Sequence, residues 1–202
     1  NHRVYVVSRN VTPSIRILNA LTGADEDTLK TIGISGGTFP INDVEVSSNG
    51  VIYVCNLTTN ASTTNFKVYR YTTEADTPLA VIDYQSTSAA RLGDKFTVTG
   101  STTDNSVTIW AASGNTTELY KFTTTNNGAS FTATVIPIGG LTGSTFGSAS
   151  VSPFSNFFYW NAGGFTPRKY NSDGTLVGSV SGTIVATGSN AIRHIATISG
   201  DE

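Results

Sequence analysis

The chain has 202 residues, of which 13% are charged, and its formal net charge is −2. This balance argues against the basic stripe of a nucleic-acid-binding protein and against a polybasic patch for anionic membranes. Hydrophobic residues make up 38% and aromatic residues 10%, which is enough to build a core. The length and composition therefore predict one globular domain, which we place over residues 1–202.

The predicted elements are short strands bounded by Gly, Asn, Asp and Ser turns, and helical periodicity is absent from the sequence pattern. In chain order they repeat as a unit of four strands, about every fifty residues. The strands are predicted at 3–8, 15–19, 28–32, 41–47, 51–56, 68–72, 79–84, 95–99, 107–112, 119–123, 131–136, 148–153, 157–161, 167–171, 176–180 and 192–198. The predicted fold class is all-β, with four repeats of four antiparallel strands.

The second strand of the repeat is apolar on both faces, as in Val51-Ile-Tyr-Val-Cys55. A strand of this kind has to be covered on both sides, because either face would otherwise expose apolar side chains to water. Sheets stacked between two neighbours form a radial array. The pattern therefore predicts a four-bladed β-propeller.

The two chain ends carry incomplete repeats. Segment 3–8 resembles a second strand without a first, and segment 192–198 resembles a first strand without a second. Pairing of the two would complete one blade and close the ring, and it would cover two strand edges. The alternative is a chain cut from a larger ring. The blades are placed at 190–202 plus 1–34, 41–84, 94–137 and 147–181.

The segment Asn42-Asp-Val-Glu-Val-Ser-Ser-Asn-Gly-Val-Ile-Tyr-Val-Cys-Asn56 resembles blades of the NHL and lactonase-like propellers of secreted bacterial proteins. The resemblance implies a propeller, and it implies a central channel that holds a metal through Glu, Asn and Asp side chains. Asp43 and Glu45 are the candidate ligands, and His194, in the strand predicted at 192–198, is a further one. The equivalent positions of the other repeats do not supply the remaining ligands, so a divalent cation is an alternative and the favoured prediction is no cofactor.

Four aromatic residues are the candidate ligand-binding positions. Trp110 and Trp160 are expected beside loops, where a carbohydrate or peptide would stack on their rings. Phe39 and Phe165 complete the set.

The single cysteine, Cys55, lies in an apolar strand and is expected to be buried and unreactive. The sequence also suggests no Ser, His and Asp set for nucleophilic catalysis. These features favour a non-catalytic binding or structural module that contacts a protein, a glycan or other copies of itself. Two alternatives stay open: a metal-dependent, lactonase-like hydrolase, and an assembly subunit that exchanges terminal strands.

The location is expected to be extracellular or at the cell surface. The low charge and the abundance of Thr, Ser and Asn suggest this site, and an initial Asn1 with no methionine in the chain suggests removal of a signal peptide. Neither a nucleic-acid partner nor a membrane span is expected.

Overall fold

A computed structural model describes residues 2–180 of the chain. This part contains fifteen β-strands and no helix, so it has no helix able to cross a membrane. The strands are β1 (Arg3–Ser8), β2 (Ser14–Asn19), β3 (Asp25–Thr28), β4 (Phe39–Val46), β5 (Ile52–Leu57), β6 (Phe66–Tyr71), β7 (Leu79–Tyr84), β8 (Thr97–Thr99), β9 (Thr108–Ala112), β10 (Glu118–Thr123), β11 (Thr132–Pro137), β12 (Ser150–Pro153), β13 (Phe157–Asn161), β14 (Arg168–Asn171) and β15 (Leu176–Ser179). The prediction of an all-β chain is confirmed.

The strands form four separate antiparallel sheets, and within each sheet every strand pairs with the next one along the chain. The first sheet has the order β1-β2-β3. The second (β4 to β7), third (β8 to β11) and fourth (β12 to β15) sheets each have four strands in sequence order. The first sheet therefore lacks, among residues 2–180, the strand that opens each of the others.

The hairpin between β4 and β5 shows how the local sequence forms these sheets. The Ser47 amide donates to the Val51 carbonyl at 2.9 Å, and the Gly50 amide donates to the Ser47 carbonyl at 2.9 Å. Gly50 has a φ of 86°, in the left-handed region that glycine adopts without a steric penalty. The Asn49-Gly50 pair therefore closes this hairpin.

Three apolar cores lie between successive sheets, and alternate residues of one strand enter different cores. Ile52 and Val54 of β5 face the first sheet, whereas Tyr53 and Cys55 face the third. This division follows from the strand period of two residues. The prediction that second strands are covered on both sides is confirmed for β5.

The series of sheets is open within residues 2–180. The outer face of the first sheet exposes Val4 and Val6, which keep 44% and 40% of their surface accessible. On the outer face of the fourth sheet, Phe157 and Tyr159 are half-buried, and the Lys169 ammonium lies 4.0 Å from the Phe157 ring centroid. The proposed pairing of 192–198 with 3–8 lies outside the described residues.

The last strand of the first sheet was predicted at 28–32 but forms at Asp25–Thr28. The prediction was wrong because the acidic sequence Asp25-Glu26-Asp27 is typical of a turn, whereas in the structure it belongs to the strand. In the structure, Asp25 pairs with Arg16 and Glu26 pairs with Arg3 across the sheet. These ion pairs hold an acidic segment in a strand that its composition does not favour.

Candidate functional site

One end of the first three sheets carries a group of connected polar and charged side chains. It combines the residue after β1, the first half of β4 and the connection that leads into β8. We call it the end cluster, and it consists of Arg9, Phe39, Asn42, Asp43, Arg91, Asp94 and Lys95.

Asn42 is the centre of the end cluster. Its side-chain carbonyl accepts a hydrogen bond from Arg9 Nη1 at 2.9 Å. Its Nδ2 donates to the backbone carbonyls of Gly93 at 2.5 Å and Asp94 at 3.3 Å. The Arg9 guanidinium also lies 4.8 Å from the Phe39 ring centroid, within cation–π range. One amide side chain therefore joins the first sheet to the loop that enters the third.

Asp43 links the second sheet to the third. Its Oδ1 accepts a hydrogen bond from Lys95 Nζ at 3.0 Å, and its Oδ2 accepts one from the Phe96 amide at 3.2 Å. Burial raises the pKa of Asp43, and the Lys95 ammonium and the Phe96 N–H oppose that rise. Both carboxylate oxygens are thus engaged by donors of the segment that leads into the third sheet.

Glu45 lies two residues further along β4, next to Asp43. Burial raises the pKa of Glu45 to about 7, and the negative charge of Asp43 adds to the rise while Lys95 opposes it. The carboxyl group of Glu45 is therefore partly protonated near neutral pH.

Arg91 and Asp94 form a bidentate salt bridge within the loop before β8. Arg91 Nε donates to Asp94 Oδ2 at 2.6 Å, and Arg91 Nη2 donates to Asp94 Oδ1 at 2.6 Å. Gly114 lies directly against the pair, because a Cβ at this position would be 2.8 Å from Asp94 Oδ2. A side chain at this position would therefore displace the Asp94 carboxylate from its present place in the pair.

The same loop is held against the connection between β9 and β10 and against β5. The Arg91 amide donates to Asn115 Oδ1 at 2.6 Å, and the Gly114 amide donates to the Arg91 carbonyl at 2.9 Å. Gly93 has a φ of 88°, and a Cβ there would lie 1.9 Å from the Asn56 carbonyl oxygen. The side chains of the loop thus project from a backbone that is fixed on both sides.

The charges of the end cluster are unequally exposed. The Arg91 and Lys95 side chains keep 38% and 40% of their surface accessible, while their partners Asp94 and Asp43 keep 8% and 10%. Arg9 is exposed as well. The cations are therefore accessible to solvent, and the carboxylates lie beneath them.

A family model described as a domain of unknown function (DUF4623) matches residues 3–151. The chain belongs to the DUF4623 family. The crystal structure of a DUF4623 family protein from Bacteroides eggerthii DSM 20697 is similar to it, with 18% sequence identity and a TM-score of 0.69. The match covers 89% of this chain and 43% of that one, so the chain spans less than half the length of its structural relative. At this identity the likeness shows the fold. No curated protein matches the sequence.

Asp43 and Glu45, the two predicted metal ligands of this DUF4623 chain that lie within residues 2–180, have no third His, Cys, Asp or Glu ligand among those residues. Asp43 is engaged by an ammonium and an amide N–H, and Glu45 is its only carboxylate neighbour on β4 within the described sequence. Residues 2–180 contain no group of three His, Cys, Asp or Glu side chains suited to a metal ion. His194 lies outside the described residues. The described donors therefore do not fit the divalent cation implied by the resemblance to lactonase-like blades.

Two of the predicted ligand-binding aromatics, Trp110 and Trp160, lie in the core between the third and fourth sheets. Their rings are buried because alternate residues of β9 and β13 face that core, so neither ring is presented at a loop surface. Phe165 is half-buried, 5.6 Å from Phe146 and 5.4 Å from Trp160 between ring centroids. Phe39 is exposed within the end cluster.

Cys55 of the DUF4623 chain is fully buried in the core between the second and third sheets. Its Sγ lies 3.9 Å from the Gly93 carbonyl oxygen, and burial raises the pKa of the thiol. A thiol in this state is a poor nucleophile, so Cys55 serves packing.

Sequence reasoning did not single out Arg9, Arg91 or Asp94. The Arg91-x-x-Asp94 spacing in a loop was an available signal for an ion pair, but it does not reveal which other segments surround that pair. Arg9 is far away in the sequence and joins the cluster through its contacts with Asn42 and Phe39.

Proposed function

We propose that the four sheets are consecutive blades of a β-propeller and that this chain is an extracellular, non-catalytic binding module. Its binding surface is the end cluster. The observation that carries the proposal is the gathering of exposed cations and an exposed aromatic ring from three parts of the chain onto a fixed loop backbone.

The packing of the sheets supports the propeller. Each four-stranded sheet is a meander, and its first strand lies near the first strand of the adjacent sheet, as β4 does near β8 and β8 near β12. Sheets that converge at their first strands and diverge at their last are arranged like blades around an axis.

The position of the end cluster supports binding. Loops held by a sheet scaffold present side chains in fixed geometry, which reduces the entropy lost when a ligand binds. The low charge and the Thr, Ser and Asn content support an extracellular location.

The test is a binding screen of glycans and extracellular proteins with two matched variants. Phe39→Ala removes the exposed ring of the end cluster, and Leu79→Ala removes an exposed apolar side chain from β7, outside that cluster. We expect Phe39→Ala to weaken the partner's affinity by about fivefold or more and Leu79→Ala to leave it unchanged. Equal affinities of the two variants for every partner would contradict the proposed surface.

A second candidate function, assembly through strand addition, is favoured by the open edge of the first sheet. β1 pairs with β2 on one side and has no strand partner on the other among residues 2–180. Such an edge is a template for a strand from another molecule. Light scattering would then give a mass that rises with concentration above the chain mass of 21.2 kDa, and a constant monomer mass would contradict assembly.

A further inference from the structure

We infer that the end cluster binds the carboxylate groups of an acidic saccharide. This inference rests on the proposed binding function and adds the chemical class of the ligand. Three features support it: donors on exposed cations that are left without an acceptor among residues 2–180, carboxylates buried beneath those cations, and neighbouring groups suited to a sugar.

The hydrogen-bond pattern leaves donors for a ligand. Arg91 uses Nε and Nη2 in its pair with Asp94, so its Nη1 is not part of that pair. Arg9 gives Nη1 to Asn42 and rests on the Phe39 ring, which fixes its guanidinium plane without using its whole set of donors. A guanidinium held in this way is ready to donate to a carboxylate at little entropic cost.

The burial of the acidic partners makes the surface attractive to anions. Asp94 and Asp43 are largely covered, whereas the cationic side chains above them are open to water. The raised pKa of Glu45 acts in the same direction, because this carboxyl group is partly protonated near neutral pH and so carries less negative charge near Lys95. An incoming anion therefore approaches the cations first.

The groups beside the cations favour a saccharide over an acidic peptide. Phe39 offers an exposed aromatic ring at the edge of the cluster, and sugar rings pack their C–H groups on such rings. The hydroxyls of Thr38 and Thr59 lie 3.4 Å apart on the adjacent exposed surface and both donate and accept hydrogen bonds. Aromatic and hydroxyl neighbours around a cationic centre match a hydroxyl-rich ring that bears a carboxylate.

The experiment is calorimetric titration with a short galacturonate oligomer, a neutral galactose oligomer of equal length and a poly-glutamate peptide. We expect the full chain to bind the galacturonate oligomer, with affinity falling as salt rises from about 50 to about 300 mM. Arg9→Gln should weaken that binding by about fivefold or more. Arg9 is exposed, so this variant should keep the fold, which thermal unfolding would check.

The matched control is Arg70→Gln. Arg70 is a cation on β6 whose Nη1 donates to the Asn127 carbonyl at 3.3 Å, away from the end cluster. Its loss should leave galacturonate affinity unchanged. Equal weakening by the two variants would point to a general charge effect and would overturn the site.

The remaining outcomes separate this inference from the proposed function. Binding of a neutral ligand that depends on Phe39, without galacturonate binding, would overturn the acidic saccharide and keep the binding module. Tighter binding of poly-glutamate than of the galacturonate oligomer would overturn the saccharide class. A screen that finds no ligand dependent on Phe39 or Arg9 would overturn both.

Discussion

The second strand of the second sheet and the equivalent strand of the first sheet have similar sequences and different surroundings. In β5, Ile52-Tyr-Val-Cys55 is buried at every position, whereas in β1, Val4-Tyr-Val-Val7 alternates between half-buried and exposed. The difference lies in the neighbours, because β5 has a sheet on each side and β1 has one on a single side within residues 2–180. Burial of a strand is thus set by the stack as well as by its own residues.

The interface between the second and third sheets also carries specific polar links. Asp43 accepts hydrogen bonds from Lys95 and Phe96, and the Ser48 hydroxyl donates to the Gly100 carbonyl at 2.8 Å. These bonds tie the two sheets at fixed positions. The outer face of the first sheet offers Val4 and Val6 to solvent instead.

Substitution of two glycines tests this contrast, and it is expected to change the free energy of unfolding more than the other variants below. Gly93→Ala places a Cβ against the Asn56 carbonyl at a positive φ, and we expect unfolding free energy to fall by about 3–5 kcal/mol from overlap plus backbone strain. Gly23→Ala, also at a positive φ but with nothing within 4 Å, should cost about 1–2 kcal/mol. Urea unfolding measures both, and equal losses would show that the contact with Asn56 is unimportant.

Two valines would sharpen the comparison of the strands themselves. Val54→Ala in β5 should reduce the free energy of unfolding by about 2–3 kcal/mol, because the side chain is fully buried. Val6→Ala in β1 should cost under about 0.5 kcal/mol, because the side chain is already exposed. Both variants are measured in the same urea titration. A loss at Val6 comparable to that at Val54 would mean that the outer face of the first sheet is covered in solution.

Glu45 gives a smaller, pH-dependent test at the well-packed interface. Its pKa is raised from 4.5 to about 7 in the folded chain, so the folded state holds this proton more tightly than the unfolded state does. The resulting stabilisation is complete below about pH 4.5 and is lost as the pH rises through about 7. Glu45→Gln cannot ionise and should be more stable than the natural chain at about pH 8 by about 1–3 kcal/mol, with little difference near pH 4.5.

Asp104→Asn is the control for that experiment. Hydrogen bonds from Ser106 lower the pKa of Asp104, so its contribution is present above the unfolded pKa and disappears in acid. At about pH 8, urea unfolding should therefore give a lower free energy of unfolding for Asp104→Asn than for the natural chain. This change is opposite in sign to the one expected for Glu45→Gln. A Glu45→Gln difference that is independent of pH would contradict the raised pKa.

The strand pattern of this chain was largely readable from its sequence. β7 forms at the predicted residues, and β5 starts one residue later than predicted, because alternation, apolar runs and Gly turns are local signals. β3 was misplaced because its stability comes from cross-strand ion pairs. The end cluster was only partly anticipated, through Phe39 and Asp43. Its remaining members meet through contacts between distant segments, which local patterns do not encode.

Each sheet is built from one continuous stretch of chain and packs on the sheets beside it in sequence. The first sheet is therefore complete in its described strands before the second is synthesised, and each later sheet meets a surface that already exists. Such an order allows folding to advance with translation, from the first sheet towards the fourth. It also keeps the loops that must close short, so the search for native contacts stays local at every stage.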